Sequence, residues 1–491
     1  MRSSESDLEV GHPMHQPTKN PATAFKRVWW IGALALATTA VAIEVPKDLE
    51  ARVDAFVRAG MEQRKIPGVA AAVVMGGEVL LAKGYGQANV EHAVPVDRAT
   101  IFQSGSLGKQ FTAALMMLLV EEGKVGLGDS LTQHFPAAPE TWRAITVRHL
   151  LTHTSGIPDY DVAVNVDLRH DYTDDELTKL AFGLKLEFPP GARWNYSNTG
   201  YVLLGILMNR VTGKFYGDLL RDRICRPAGM KTMRIINEAD IVPHRAAGYR
   251  LVGGALKNQE WVAPLLNTTA DGAMYFSLDD LIAWDRAWRE RRLLKAESWA
   301  QMLTPVRLNS GRSYPYGFGI SLEDKDGQRI ERHAGAWQGF RTSRTRYVGD
   351  DFSVLVLANL ANADTERLAD GIAAIVNPAL AVPAHTPLAE QPTELAARLR
   401  RLLTEAAAGT LSPAELTYVR ADFFSTTAKQ FAKMLSPLGP PGAAVVHAKR
   451  EMGDDTVYEF DVAYAKKTMG VRLGVAADNM ISVFQLRPNG G

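Results

Sequence analysis

The chain has 491 residues, a hydrophobic fraction of 46%, a charged fraction of 22% and a formal net charge of +1 at pH 7. These values are typical of a globular protein with a sizeable core, and the near-zero charge excludes a strong field for nucleic acid or an anionic membrane. The single cysteine, Cys225, excludes an intrachain disulfide and a cysteine-based zinc site.

The first 42 residues have the pattern of a targeting segment. Lys26 and Arg27 precede an apolar run over residues 28–43, which contains the small residues Ala40 and Ala42 that a cleavage site requires. The run is marginal for a membrane span, since such a helix needs about 20 apolar residues. We therefore predict a tail and signal peptide over residues 1–42 and an exported protein, periplasmic or secreted. An uncleaved N-terminal anchor is the alternative.

The body of the chain begins and ends with strand signals. After a helix over residues 48–63, apolar runs at 69–75 and 79–83 flank Gly76-Gly77, which is typical of a tight hairpin turn. A later cluster of strands is separated by turns at Gly335, Gly339 and residues 349–351. The predicted elements of this cluster and of the helical middle are strands 330–334, 341–347 and 352–358 and helices 111–122, 174–182, 201–211 and 278–289. We predict one antiparallel sheet covered by the helices, an α+β fold.

A change in composition near residue 380 indicates a second domain. Residues 381–393 form a proline-rich linker, because proline keeps a segment extended and out of sheets. An amphipathic helix with Leu395, Leu399 and Leu402 follows. Further helix signals and three strands come after it, at residues 413–419, 427–435, 457–464, 468–475 and 481–486. We predict a first domain over residues 43–380 and a small α+β domain over residues 394–491.

Ser106 and Lys109 are a candidate nucleophile and base. An apolar extended approach ends in Ser104-Gly105-Ser106 and a helix follows, so the i, i+3 spacing places both side chains on one face. A hydroxyl needs an adjacent base, and burial can lower the pKa of a lysine enough for it to serve. The N–H of Ser106 is free at the helix start to stabilise an oxyanion. Alone, this S-x-x-K spacing more often marks a helix cap and a solvated lysine.

Two further motifs could complete such a site. Tyr196 and Asn198 form Y-x-N before an apolar helix, where the phenol could carry a proton and the amide could bind a substrate amide. A core aromatic and a helix cap are the alternatives. His333, Gly335 and Ala336 lie at the end of a predicted edge strand, where glycine allows close approach and the N–H of Ala336 could donate to an oxyanion. An ordinary strand end with a surface histidine is the alternative.

In this order the motifs resemble the serine β-lactamase and penicillin-recognising enzyme family, with its S-x-x-K, Y-x-N and K-T-G signatures. The likeness is greatest to the class C branch with its related esterases and D-amino-acid peptidases. It covers residues 47–378. Further matching segments are H-L-L-T-H-T-S-G at 149–156, P-A-G-M at 227–230, D-G-A with D-D-L within 271–281 and Y-G-F-G at 316–319.

The resemblance implies a β-lactamase/transpeptidase-like fold, with an antiparallel sheet, flanking helices and an all-helical subdomain. It implies that Ser106 is acylated and that Lys109 accepts its proton or assists electrostatically. Tyr196 is then the general base for attack and deacylation, and Asn198 positions the substrate. The N–H groups of Ser106 and Ala336 form the oxyanion hole.

His333 stands where many family members have lysine, and a histidine is mostly neutral at pH 7. This departure shifts the prediction from lactam hydrolysis to ester or amide hydrolysis in general. His149 and His153 lack the glutamate of H-E-x-x-H and are predicted to be structural loop residues. The C-terminal unit is weakly similar to cystatin-like or NTF2-like folds, which suggests substrate restriction, dimer contact or simple packing.

We therefore predict a serine hydrolase that acts through an acyl-enzyme on an ester or amide, as an esterase, a D-amino-acid peptidase or a weak β-lactamase. Its partner is a small-molecule or peptide substrate, with no cofactor, no metal, no nucleic acid and no strong membrane binding beyond the N-terminal segment. The alternatives are a catalytically silent sensor of a penicillin-binding-protein type and a self-assembling structural protein.

Overall fold

The computed structural model describes residues 43–160, 166–236, 239–325, 327–381, 386–419 and 423–488. The predicted signal peptide lies outside the described residues, as does the linker segment 382–385. The described residues from Ile43 onward belong to one compact unit. In this part of the chain, every helix is too short or too polar to cross a membrane.

The helices and strands of the described residues are as follows. The helices are α1 (Leu49–Arg64), α2 (Lys109–Glu121), α3 (Leu131–His134), α4 (Val147–Leu151), α5 (Asp174–Phe182), α6 (Asn198–Thr212), α7 (Tyr216–Leu220), α8 (Arg226–Ala228), α9 (Leu278–Arg289), α10 (Ala296–Met302), α11 (Thr365–Val376), α12 (Thr393–Ala408) and α13 (Ala428–Leu435). The strands are β1 (Gly68–Met75), β2 (Glu78–Asn89), β3 (Val94–Pro95), β4 (Ile101–Gln103), β5 (Arg234–Ile235), β6 (Tyr249–Val252), β7 (Ala255–Asn258), β8 (Met274–Ser277), β9 (Val306–Arg307), β10 (Ser313–Tyr314), β11 (Ser321–Lys325), β12 (Gln328–Trp337), β13 (Phe340–Tyr347), β14 (Phe352–Ala358), β15 (Ala444–Met452), β16 (Asp455–Ala463), β17 (Thr468–Val475) and β18 (Ile481–Pro488).

The main sheet joins strands from both ends of residues 43–380. It has seven strands in the order β11-β12-β13-β14-β1-β2-β3, and β1 pairs antiparallel with β14 from Val69 opposite Ala358 to Met75 opposite Phe352. Gly76 and Gly77 both have positive φ, 59° and 89°, and close the hairpin between β1 and β2. The predicted sheet and hairpin are therefore confirmed.

Side chains of β1 alternate between two hydrophobic layers, as the period of a strand requires. Val69, Ala71 and Val73 pack in one core together with residues of α1 and α11. Ala70 and its neighbours of the same parity pack in a second core with α2, α6 and α9. Helices α2, α6 and α9 thus lie on one face of the sheet, and α1 and α11 lie on the other. Both faces of β1 are therefore buried.

Gly335 does not form the predicted turn, because it lies inside β12. A Cβ at this position would be 1.9 Å from the carbonyl oxygen of Ser104, so glycine here allows close packing rather than chain reversal. The reversal comes at Gly339, which has φ of 78°. The prediction of an edge strand is correct only for the second half of β12. Strand β11 pairs with β12 as far as Arg332, whereas from His333 onward β12 pairs with β13 alone among the described strands.

The C-terminal part has its own hydrophobic core. Helices α12 and α13 pack on a four-stranded antiparallel sheet in the order β15-β16-β17-β18, which confirms the helix-then-sheet order. Strand β15 was not predicted. Val446 is the only residue of this strand that is fully buried, so the alternation of apolar and polar residues is weak. The linker residues Leu388 and Gln391 bond to Val446 and so lie alongside β15.

Candidate active site

Ser106 lies in a tight turn between strand β4 and helix α2. The turn, Gly105–Gly108, has 3₁₀ geometry, in which side chains at i and i+3 lie directly above one another. Lys109 Nζ is consequently 3.1 Å from Ser106 Oγ. Gly105 has φ of 52°, and a Cβ there would be 2.4 Å from the nitrogen of Ala336. The turn is tighter than the predicted helix start, but it juxtaposes the predicted pair.

Lys109 is fully buried and makes three polar contacts. Its Nζ is 2.7 Å from Asn198 Oδ1 and 2.5 Å from the carbonyl oxygen of Asp271, in addition to the contact with Ser106. Burial lowers the pKa of Lys109 from 10.5 to about 8, against the opposing charges of Asp271 and Asp159. A neutral amine is therefore accessible near physiological pH.

Asn198 links Lys109 to an acidic side chain. Its Nδ2 and its backbone N–H both donate to Asp159 Oδ2, at 3.0 and 3.2 Å, while its Oδ1 accepts from Lys109. The amide is thereby held in one orientation and orients the lysine. Substrate binding by Asn198 stays a prediction.

Tyr196 is half-buried beside the same lysine, and its hydroxyl oxygen is fully buried. Its ring centroid is 5.0 Å from Lys109 Nζ, and it packs at 4.2 Å against the ring of His153. Burial raises the pKa of Tyr196 well above its ordinary value, and Ser106 opposes this rise in part. The hydroxyl lies near Ser106 but makes no well-aligned hydrogen bond within the described residues. The resting phenol is accordingly neutral.

His333 is the end of a hydrogen-bonded chain that sequence reasoning missed. The backbone N–H of Ser197 donates to His153 Nδ1, so that His153 Nε2 carries the proton and donates to the Tyr316 hydroxyl, 3.2 Å away. Tyr316 then donates to His333 Nε2 at 2.9 Å, and His333 Nδ1 donates to the carbonyl of Ala334 at 2.6 Å. Each partner thus determines the tautomer of the next.

The imidazoles of His153 and His333 are both neutral. Burial, and then the charge of Lys109, lower the pKa of His333 to about 4. The same causes, in the same order, lower the pKa of His153 well below its ordinary value. His333 therefore provides no cation at pH 7, and it is buried rather than on the surface. His149 Nδ1 accepts a hydrogen bond from the Thr146 N–H at the start of α4, a structural contact as predicted, but His149 lies within the helix rather than in a loop.

The predicted residues meet at one cleft of about 640 Å³. Strands β12 and β13 both approach the serine turn closely: Gly335 of β12 leaves no room for a side chain, and Thr342 Oγ1 of β13 donates to the carbonyl of Ser104 at 2.6 Å. Lys109 and Asn198 lie behind the cleft wall. The predicted residues that line it are Ser106, Tyr196, His333, Gly335 and Ala336. Among the described residues, no cluster of His, Cys, Asp and Glu could hold a metal ion.

Four contributors to the site were not predicted: Asp159, Asp271, Trp194 and Tyr316. Asp271 and Tyr316 lie within segments that match family motifs, and Trp194 lies two residues before Tyr196 of Y-x-N. The motif matches could have indicated that these residues matter, but they could not indicate their contacts, which join positions far apart in the chain. His153, predicted to be a structural loop residue, packs directly on Tyr196.

Comparisons with known proteins agree with this geometry. A family profile described as Beta-lactamase matches residues 53–377. The chain is 32% identical over 314 residues to a penicillin-binding protein of Bacillus subtilis (strain 168), which covers 59% of this chain and 67% of that protein. It is 31% identical over 353 residues to D-aminopeptidase of Gluconobacter oxydans (strain 621H), which covers 70% of this chain and 65% of the enzyme.

A solved structure extends the likeness in fold beyond the residues that the family profile matches. The octameric penicillin-binding protein homologue from Pyrococcus abyssi has a TM-score of 0.61 at 23% identity, over 89% of this chain and 99% of that chain. The chain spans about two thirds of the length of the two sequence relatives. The predicted β-lactamase/transpeptidase-like α+β fold is confirmed, and the chain belongs to the beta-lactamase family of serine hydrolases.

Proposed function

We propose that the protein hydrolyses amide or ester bonds through an acyl-enzyme on Ser106, with Lys109 as the base. The observation that carries this proposal is the fully buried Lys109 Nζ, 3.1 Å from Ser106 Oγ, with its pKa lowered to about 8. Asn198 Oδ1 and the carbonyl of Asp271 can only accept hydrogen bonds. A neutral amine donates its two protons to these oxygens, so its lone pair faces the Ser106 hydroxyl.

Acylation then follows from the placement of the groups. Lys109 takes the proton of Ser106 while Oγ attacks the carbonyl carbon of the substrate. The N–H groups of Ser106 and Ala336 stabilise the oxyanion, because the serine turn lies directly against β12. As the tetrahedral intermediate collapses, the leaving amine or alcohol receives a proton that passes from Lys109 through the Tyr196 phenol.

Tyr196 acts as a proton carrier rather than as a resting base. Burial raises its pKa, so the phenol holds its proton until Lys109 can replace it. In deacylation the direction is reversed: water gives a proton to the neutral Lys109 by way of Tyr196 as its oxygen attacks the acyl carbon. The bond between the acyl carbon and Ser106 Oγ then breaks, and Oγ regains its proton from Lys109, 3.1 Å away. This assignment moves the general-base role from Tyr196, where the family resemblance placed it, to Lys109.

We further propose that the substrate class is a D-aminoacyl amide or peptide, or a simple ester. A neutral His333 gives no permanent cation to bind the carboxylate of a β-lactam, which makes lactam hydrolysis at most weak. D-aminopeptidase of Gluconobacter oxydans is a relative at 31% identity, which supports D-aminoacyl compounds as the first substrates to assay.

Active-site labelling tests the proposal. A fluorophosphonate probe should label the wild-type protein and not Ser106→Ala, and the same substitution should abolish hydrolysis in a panel of nitrophenyl esters, D- and L-aminoacyl amides and a chromogenic cephalosporin. Ser104→Ala is the matched control, since Ser104 Oγ bonds to backbone carbonyls and not to Lys109. Folded wild-type protein that takes no label and hydrolyses no substrate would instead support a silent ligand sensor.

We also propose export to the periplasm or the medium. The support is the basic, apolar and small-residue pattern at residues 26–42. Cell fractionation with N-terminal sequencing of the recovered protein tests it. An N-terminus created by cleavage after Ala42 is the expected result, and recovery of the intact chain from the cytosol would contradict the proposal.

A further inference from the structure

The C-terminal sheet contacts the segment that carries Tyr196. The hairpin end that joins β15 to β16 (residues 451–455, here the β15–β16 turn) includes the last two residues of β15 and Asp455, the first residue of β16. Asp455 accepts two parallel hydrogen bonds from Arg193. Nη1 is 3.1 Å from Oδ1 and Nη2 is 2.7 Å from Oδ2. Such two-pronged pairing fixes the orientation of both groups as well as their distance.

The pair is largely shielded from solvent. The side chains of Arg193 and Asp455 are 15% and 10% exposed, and the guanidinium lies 3.7 Å from the ring centroid of Tyr418, another C-terminal residue. Arg193 is therefore held by a carboxylate and an aromatic face of the C-terminal part. A shielded charge pair cannot lose one partner without leaving the other unpaired, so separating Arg193 from Asp455 costs free energy.

A second set of contacts connects the β15–β16 turn to Trp194, the residue next to Arg193. The N–H of Gly453 donates to the carbonyl of Ser313 at 3.1 Å, and a Cβ on Gly453 would lie 2.7 Å from Leu308 and 3.7 Å from Tyr314. Tyr314 in turn stacks on Trp194, with centroids 4.2 Å apart and rings 9° from parallel. The turn thus reaches Trp194 in two ways: through Tyr314, which stacks on its ring, and through Arg193, its neighbour in the chain.

Residues 193–197 have no helix or strand of their own, yet they carry Tyr196 and the cleft-lining Trp194. Their backbone bonds include Asn195 N–H to the carbonyl of His153. We infer that the β15–β16 turn is a positioning element for the active site, in which Arg193 and Asp455 set the place of the Tyr196 phenol and of the Trp194 wall. The effect on catalysis rests on the proposed function of Tyr196.

Asp455→Asn in the full chain tests the inference, because it keeps the shape of the side chain but removes its charge. We expect kcat for a nitrophenyl ester to fall about 10- to 100-fold, the loss typical of a misplaced catalytic group. KM should change less than kcat, and the pH profile of kcat should shift, since Tyr196 and Lys109 move apart. Hydrogen–deuterium exchange of residues 191–198 should rise.

Glu451→Gln is the matched control on the same turn. Glu451 pairs with Arg312 at 3.4 Å, both side chains are more than half exposed, and the pair does not touch residues 193–196. We expect wild-type kinetics and exchange. If the Asp455→Asn protein does not unfold cooperatively, Tyr418→Ala serves as the test variant instead. This change removes the aromatic face beneath Arg193 and should lower kcat about 3- to 10-fold.

Two results would overturn the inference. One is wild-type exchange at residues 191–198 together with wild-type kcat in Asp455→Asn. The other is an equal effect of Glu451→Gln, which would indicate general loosening of the turn. If the wild-type protein hydrolyses no substrate, the proposed function fails, and the exchange comparison still decides whether the β15–β16 turn positions the segment.

Discussion

Replacement of Lys109 by methionine removes the amine at nearly constant volume and should change the pH dependence of stability. The pKa of Lys109 falls from 10.5 to about 8 on folding, because the side chain is buried. Between pH 8 and pH 10.5 the unfolded chain holds this proton and the folded chain does not, so the wild-type protein gains stability as the pH rises through that window. The Lys109→Met variant has no titrating group at this position and lacks that gain.

The magnitude follows from the two pKa values. Between pH 7.5 and pH 10 the free energy of unfolding of the wild-type protein should rise by about 2 kcal/mol relative to that of Lys109→Met. Other titrating groups cancel in this difference. At pH 7 the neutral amine makes up roughly 9% of the folded molecules, about 300 times its share at the ordinary pKa. The wild-type kcat/KM should therefore rise about tenfold between pH 7 and pH 9.

Urea unfolding at several pH values and ester hydrolysis measure the two effects. Background hydrolysis is subtracted with Ser106→Ala. Lys124→Met is the matched control, because Lys124 is 48% exposed and pairs with Glu122 at the surface. We expect Lys109→Met to lose at least about 100-fold in kcat/KM. A pH-independent difference in unfolding free energy, or a flat wild-type kcat/KM from pH 6 to pH 9, would refute the assignment of Lys109 as a base of lowered pKa.

Three further outcomes follow from the contacts of the site. Gly335→Ala should lower ester kcat/KM at least about 100-fold, because its Cβ would displace the carbonyl of Ser104; wild-type kinetics would contradict the close packing. Tyr316→Phe removes the hydroxyl between His153 and His333, and we expect a loss of about fivefold in kcat/KM. No loss would show that these hydrogen bonds do not orient His333 for the reaction. The wild-type protein should lose stability as the pH falls from 6.5 towards 4, because in this range His333 is protonated in the unfolded chain and still neutral in the folded one. His333→Asn should reduce this loss by about 3 kcal/mol between pH 7 and pH 4 in urea unfolding. Equal losses in the two proteins would contradict the lowered pKa of His333.

Local signals in the sequence account for the elements that were predicted closely. Helix α5 has the predicted bounds, Asp174–Phe182, because Thr173 and Glu176 form a capping box at its start. The hairpin after β1 follows from Gly76-Gly77, which accepts positive φ without strain. The S-x-x-K pair is likewise local, since three residues of a tight turn suffice to bring Ser106 and Lys109 together.

The remaining features depend on contacts that join distant parts of the chain. Tyr316 meets His153 across 163 positions, and the carbonyl of Asp271 meets Lys109 across 162 positions. Gly335 illustrates the same limit in another way. A glycine between two apolar runs indicates a turn, but the need for glycine here comes from the carbonyl of Ser104, which lies 1.9 Å from where a Cβ would be. Periodicity contains no information about such an approach.

The neutral state of His333 and the lowered pKa of Lys109 are two aspects of one buried cluster. The charge of Lys109 lowers the pKa of His333 and of His153, and electrostatic coupling between two sites is reciprocal. A permanent cation at position 333 would therefore lower the pKa of Lys109 further and would also attract a substrate carboxylate. With histidine in place of lysine, the cluster holds one cation at most near neutral pH, and Lys109 alone exchanges its proton in that range. The same difference that weakens carboxylate binding thus leaves the pKa of Lys109 set by its burial against the charges of Asp271 and Asp159, with no second cation beside it.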